Sequence, residues 1–204
     1  MRLVITGCGR SGTSYIAHLL RLAGLNVGHV RACGPSVVFD QAAADEQDVE
    51  VSWLAPAYWD DLEAVTVWQI TRHPIEVARS YKVQSFFHGR GAHPALVRDV
   101  LGFDVLRTFP ESPELHFWGF WNGVIEARVG TGIRFRLEDV QDTCDWLIDA
   151  VRREIGKGEV TRELRDAVGK PVNQLMPRPS DEIDVGPFPP YFRSMAWRYG
   201  YDDV

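Results

Sequence analysis

The chain predicts an α/β domain: a parallel sheet of about four or five strands, helices on both faces, and a working edge at the strands' carboxyl ends. Three stretches carry this expectation. Arg2 to Thr6 is an apolar run rich in β-formers that breaks into Gly7-Cys8-Gly9-Arg10-Ser11-Gly12-Thr13-Ser14 before helical spacing begins at Tyr15. Ala64 to Thr71 is a second run, apolar enough to lie buried on both faces of a parallel sheet, and Pro74 opens a helix just behind it. Gly132 to Leu137 is a third, shorter strand, and Glu138 opens the helix that follows.

The turn after the first strand has the most to say about chemistry. Its glycines let the backbone aim N–H groups inward, and the following helix adds the positive end of its dipole, so the turn suits a phosphate or another oxyanion. Gly7 to Ser14 matches most of the nucleotide-binding pattern G-x-x-x-x-G-K-[ST], but Thr13 stands where the lysine belongs and the cation is Arg10, inside the loop. The first helix runs through Leu22 and ends at Gly24 or Asn26. Val27 to Val30 is a short extended piece, and residues 31 to 57 show no sustained period, a length of loop that is often functional. Asp45-Glu46-Gln47-Asp48 reads as a solvated loop tip. Trp53, Tyr58 and Trp59 fit either core packing or an acceptor pocket.

Arg72 falls at the carboxyl end of the second strong strand, where ligands of open α/β sheets bind, and Ser80 lies two turns into the next helix. Residues 82 to 95 form a glycine-punctuated loop, either a lid or a connection, with His88 and His93 as surface histidines. Helices follow over 95 to 108 and 112 to 129, the second with Ser112 as N-cap, Pro113 at its first position, and Trp118, Trp121 and Ile125 on a core-facing side. A helix is expected from Glu138 to about Ile155. Pro-rich loops at 176–179 and 186–190 precede a last helix near Tyr191 to Tyr199.

Arg10-Ser11-Gly12-Thr13-Ser14 resembles the 5′-phosphosulfate-binding loop of the sulfotransferase family, in which Lys or Arg precedes Ser-Gly-Thr-Ser/Thr. A second landmark agrees. That family binds the cofactor's 3′-phosphate with an Arg at a strand end and a Ser eight residues on, the spacing of Arg72 and Ser80, although the usual Arg-Asp-Pro reads Arg72-His73-Pro74 here. Arg136-Leu137-Glu138-Asp139-Val140 is similar to the family's Arg-Tyr-Glu-Asp-Leu, with Leu137 in place of the tyrosine, and Gly200-Tyr201 to the close of many bacterial members. The resemblance implies a P-loop, sulfotransferase-like fold and the cofactor 3′-phosphoadenosine 5′-phosphosulfate. It also implies a cofactor site of Gly9, Arg10, Ser11, Gly12, Thr13, Ser14, Arg72 and Ser80, and sulfuryl transfer to a hydroxyl or amine of a small-molecule or carbohydrate acceptor.

Arg10 and the hydroxyls of Thr13 and Ser14 would then stabilise charge on the leaving phosphate. A base must take the acceptor's proton. Related bacterial members carry Gly-His-Glu after the first helix, but Gly28-His29 is followed by Val30, which leaves His29, Asp40 or another group for the task. Two other readings stay open: a P-loop kinase using ATP and magnesium, against which the missing lysine speaks, and a noncatalytic nucleotide binder that has lost its base.

Composition bounds the rest. The chain has 204 residues, 45% of them apolar, which fits one domain with a substantial core. Its 22 basic and 28 acidic residues leave a net charge of −6, which disfavours nucleic acid as a partner. Cys8, Cys33 and Cys144 are too sparse for a disulfide framework or a zinc site, so reduced thiols and no metal are expected. The first strand opens at residue 2 and no apolar run approaches the roughly 20 residues of a membrane helix, so a cytoplasmic protein without a membrane anchor is expected.

Overall fold

The computed structural model describes residues 1–36, 38–88, 93–170 and 183–204. In chain order the first half runs β1 (Leu3–Thr6), α1 (Thr13–Leu22), β2 (Val27–His29), α2 (Gln41–Glu46), β3 (Val49–Val51), β4 (Thr66–Thr71) and α3 (Pro74–Val83). The second half runs α4 (His93–Leu101), α5 (Val105–Thr108), α6 (Pro113–Val129), β5 (Arg134–Arg136), α7 (Leu137–Asp142), α8 (Asp145–Ile155), α9 (Arg162–Ala167) and α10 (Arg193–Arg198). Short 3₁₀ turns occupy Ala55–Tyr58, Phe86–His88 and Pro190–Phe192.

All five strands pair in parallel, in the order β2-β3-β1-β4-β5. The chain lays β2 and β3 on one side of β1, then crosses to place β4 and β5 on the other. The reversal makes the carboxyl end of β1 a topological switch point, the position at which open sheets bind ligands. Period-two alternation puts both strand faces in apolar surroundings. Leu3, Ile5, Trp68 and Ile70 pack beneath α1 and α8 with Ile16, Leu20, Leu147 and Val151. Val4 and Val67 pack on the opposite side with Leu54, Tyr58 and Leu62, and α3 and α6 build a second core there around Tyr81, Phe117, Trp118 and Trp121.

The structure corrects four expectations. Residues 31 to 57 hold α2 and β3, where no regular element was expected; β3 is three residues long and has a glutamate at its centre, too short and too polar for its alternation to register. Asp45-Glu46-Gln47-Asp48 is not a solvated tip: Gln47 is buried and Asp48 accepts from Lys157 at 2.7 Å and from the Asn26 N–H at 3.1 Å. The helix expected over 95 to 108 is two, divided at Gly102, which takes φ +77°, with Asp104 capping α5 through the Arg107 N–H. The helix from Glu138 to Ile155 also breaks, at an extended Thr143, although the apolar spacing Leu137, Val140, Cys144, Leu147 and Ile148 runs on through the break. The Pro-rich stretch 176–179, residues 89–92 of the expected lid or connection, and the His88 side chain lie outside the described residues. The three cysteines are buried and free. Among the described residues no helix is long and apolar enough to cross a membrane.

Candidate functional site

The loop between β1 and α1 owes its shape to one close approach to the sheet and one bond within itself. A Cβ on Gly7 would lie 2.2 Å from the backbone oxygen of Ile70, so only glycine lets the loop leave β1 this close to β4. The Ser11 N–H returns to the Cys8 carbonyl at 3.0 Å, and Arg10 and Gly12 take φ +68° and +92°. No side chain caps α1 and its first turn holds no acidic residue. Its leading N–H groups, which no helix can satisfy internally, therefore face outward with the dipole's positive end behind them.

They face a cavity of about 750 Å³. Gly9, Arg10, Gly12, Thr13, Ser14, His29 and Arg72 line it, so most of the residues singled out in the sequence meet there. Ser11, Ser80 and Asp40 are not on its wall. Ser11 is wholly buried in the loop. Ser80, 5% exposed, takes the Arg10 Nε at 2.8 Å. Asp40 caps α2, accepting from the Ala43 N–H at 2.9 Å.

Arg10 is gripped along one face of α3. With its amide oxygen turned inward, Gln84 accepts from both terminal nitrogens of Arg10 at 2.8 and 2.9 Å, one helical turn beyond Ser80. Burial lowers the guanidinium's pKa, Tyr81 raises it and the neighbouring Arg72 lowers it again. An arginine remains protonated through such a shift. Arg72 donates to the Arg10 carbonyl at 3.1 Å and pairs with Glu76 at 3.6 Å. Two guanidinium groups beside an uncapped helix start make a strongly electropositive pocket in a chain of net negative charge.

His29 ends β2 with its Nε2 3.2 Å from Ser14 Oγ and 3.4 Å from Thr13 Oγ1. Burial lowers its pKa, and Arg21 lowers it further, so the imidazole is neutral near pH 7. Val30 follows at φ +53°, an uncommon conformation for a β-branched residue, held by its N–H to Val51 and by Arg31's N–H to the buried Glu50 at 2.8 Å.

The remaining sequence landmarks form a bracket behind Arg72. Glu138 accepts from the His73 N–H and from the Tyr201 hydroxyl, each at 3.0 Å. Arg136 pairs with Asp139 and donates to the Gly200 carbonyl at 3.1 Å, while Trp118 donates to the carbonyl of Arg72 itself at 3.1 Å. Segments some sixty residues apart thus fix the carboxyl end of β4.

The far wall is aromatic, and sequence reasoning caught only part of it. Trp53 and Phe86 stand 5.9 Å apart at 72°, Tyr81 lies 4.7 Å from Phe86, and His93 is 5.4 Å from Trp53. His93 is therefore a wall residue rather than a surface histidine. Lys170 and Gly169, whose N–H bonds the Tyr15 hydroxyl at 2.9 Å, add a further edge that no motif announced. Gln84 was findable: Glu76, Ser80 and Gln84 repeat every four residues behind Arg72 on one helix face.

Fold and site together define an open parallel α/β protein with an electropositive glycine turn at its switch point. No protein-family model matches the chain, and no curated protein matches it.

Proposed function

We propose that the protein is a sulfotransferase that uses 3′-phosphoadenosine 5′-phosphosulfate. The observation that carries this reading is the convergence of Arg10 and Arg72 on one cavity, beside an uncapped helix start whose hydroxyls come from Thr13 and Ser14. The residues present suit a ligand with phosphate groups at both ends of a nucleoside. Gly9 to Ser14 would hold the 5′-phosphosulfate through N–H groups and the Arg10 fork, and Arg72 the 3′-phosphate through its own fork. Ser80 serves through Arg10, which it orients.

The cofactor supplies an activated sulfuryl group; the chain supplies everything else. Arg10 and the hydroxyls of Thr13 and Ser14 offset negative charge at the phosphate end. His29, neutral and on the cavity wall, takes the acceptor proton on its imidazole. Asp40 is engaged as a helix cap away from the cavity, so His29 is the better supported of the two.

Calorimetric titration tests the reading directly, with 3′-phosphoadenosine 5′-phosphate beside adenosine 5′-phosphate and ATP with magnesium. Selective binding of the 3′-phosphorylated nucleotide supports it. Preference for ATP with magnesium replaces it with a kinase. Selective binding of the first nucleotide without sulfuryl transfer to any acceptor screened would leave the noncatalytic binder.

A further inference from the structure

We propose that the aromatic end of this cavity takes a planar aromatic hydroxyl, a phenol by chemical class, as the sulfuryl acceptor. The inference rests on the sulfotransferase reading and adds the substrate to it. Two independent features of the wall carry it.

The first is shape and polarity. Trp53 and Phe86 are half-buried, packed against neighbouring rings, and both line the cavity. His93 closes the corner between them, 12° from parallel with Phe86 at 6.1 Å. Such a surface suits offset or edge contacts with a flat ring. It offers few hydrogen bonds: Gln84 is committed to Arg10, and the ring of Tyr81 is buried, leaving His93. A sugar bound there would bring several hydroxyls with too few partners, and each left buried and unsatisfied weakens binding. A phenol brings one.

The second is the strength of base available. Among the described residues on the wall the acid is Glu76, and it is held by Arg79 at 2.9 Å and Arg72 at 3.6 Å. The groups left to accept a proton are imidazoles, His29 and His93. A phenol ionises at roughly 10 in water, as tyrosine does. An alkyl alcohol holds its proton far more tightly, close to water itself. The guanidinium groups of Arg10 and Arg72 favour the phenolate further. The proton of a phenol is thus passed to an imidazole less steeply uphill than that of an alkyl hydroxyl. In the transfer, the phenol oxygen forms the new bond to sulfur as the sulfur–oxygen bond to the 5′-phosphate breaks. The electron pair leaves with that phosphate and the phenol proton passes to His29.

The test uses the full chain and three probes, naphthol, cyclohexylmethanol and N-acetylglucosamine, titrated by calorimetry with and without 3′-phosphoadenosine 5′-phosphate. Naphthol should bind at least about tenfold more tightly than either other probe. Phe86→Leu, which keeps apolar volume and removes the ring, should weaken naphthol about 2- to 12-fold and leave the nucleotide's affinity unchanged. With the sulfated cofactor supplied, transfer to naphthol should exceed transfer to cyclohexylmethanol by about a hundredfold or more. Equal or better binding of either other probe overturns the proposal, as does naphthol affinity that Phe86→Leu leaves unaltered. Naphthol binding that Phe86→Leu weakens, in a protein that ignores the nucleotide, supports the aromatic site and sinks the cofactor reading instead.

Discussion

Gly7→Ala is the sharpest test of how the loop is placed. The added methyl would sit 2.2 Å from the Ile70 carbonyl oxygen, well inside the 3.0 Å below which real Cβ contacts are essentially absent. No side chain can swing aside, because the obstacle is backbone of β4, paired with β1 on one side and β5 on the other. Relief requires the loop and the strand to part, at the upper end of overpacking costs, about 3 kcal/mol. For a chain of this size that corresponds to a melting temperature lower by about 6–12 °C. Gly123→Ala is the control. Its methyl would meet only Met195 Cε at 3.5 Å in the middle of α6, so it should gain about 0.5–1 kcal/mol. Thermal melts of the two variants should move in opposite directions. If Gly7→Ala melted within about 2 °C of the parent, the loop does not approach β4 as described and the convergence of Arg10 with Arg72 loses its basis.

Arg72→Ala should weaken 3′-phosphoadenosine 5′-phosphate about 10- to 100-fold while leaving adenosine 5′-phosphate nearly unchanged in the same titration. Glu138→Ala removes the acceptor of both the His73 N–H and the buried Tyr201 hydroxyl and should cost about 1–3 kcal/mol in urea unfolding at an unchanged slope; Glu138→Gln, which keeps a carbonyl, should cost less. His29 has a folded pKa below its unfolded value of about 6.5, so the unfolded chain binds the proton more readily and the loss accumulates as pH falls from that value through the folded one. The parent should therefore lose stability relative to His29→Gln on acidification from pH 7, with no difference in slope above it; parallel curves throughout would place His29 in a solvated setting.

The parts of the fold legible in the sequence were those that repeat. β1, β4 and the helices behind them declared themselves because long apolar runs and a proline at a helix start leave little else for those residues to do. That Arg10, Thr13, Ser14 and Arg72 would line one cavity was legible too, since it follows from their positions just beyond strand ends. What escaped was settled at long range. β3 exists because Val49 and Val51 fill a gap beside β1, and Glu50 between them is tolerated because Gln47 and the Arg31 N–H meet it. Ser80 sits eight residues from Arg72 as the spacing required, yet its hydroxyl meets Arg10 across seventy residues of chain. His93 looked like a surface residue because nothing local says that Trp53 and Phe86 will be its neighbours.

The same long-range logic accounts for the strain at Val30. A β-branched residue at φ +53° costs of order 1–2 kcal/mol and persists only where its surroundings impose it. Two bonds impose it here, from Val30's own N–H to Val51 and from the next N–H to the Glu50 carboxylate, so β3 dictates how the chain leaves β2. The turn carries His29 on its first side, and His29 reaches Ser14 and Thr13 from there. A relaxed extended Val30 would carry the chain straight on past the cavity and loosen that reach. Glu50, itself remote from the wall, therefore spends the cost of a buried carboxylate on the placement of the imidazole. His29 and the glycine loop are in this way set by two strands of one sheet, β2 and β1 with β3 between them, which fixes their separation more firmly than any loop would.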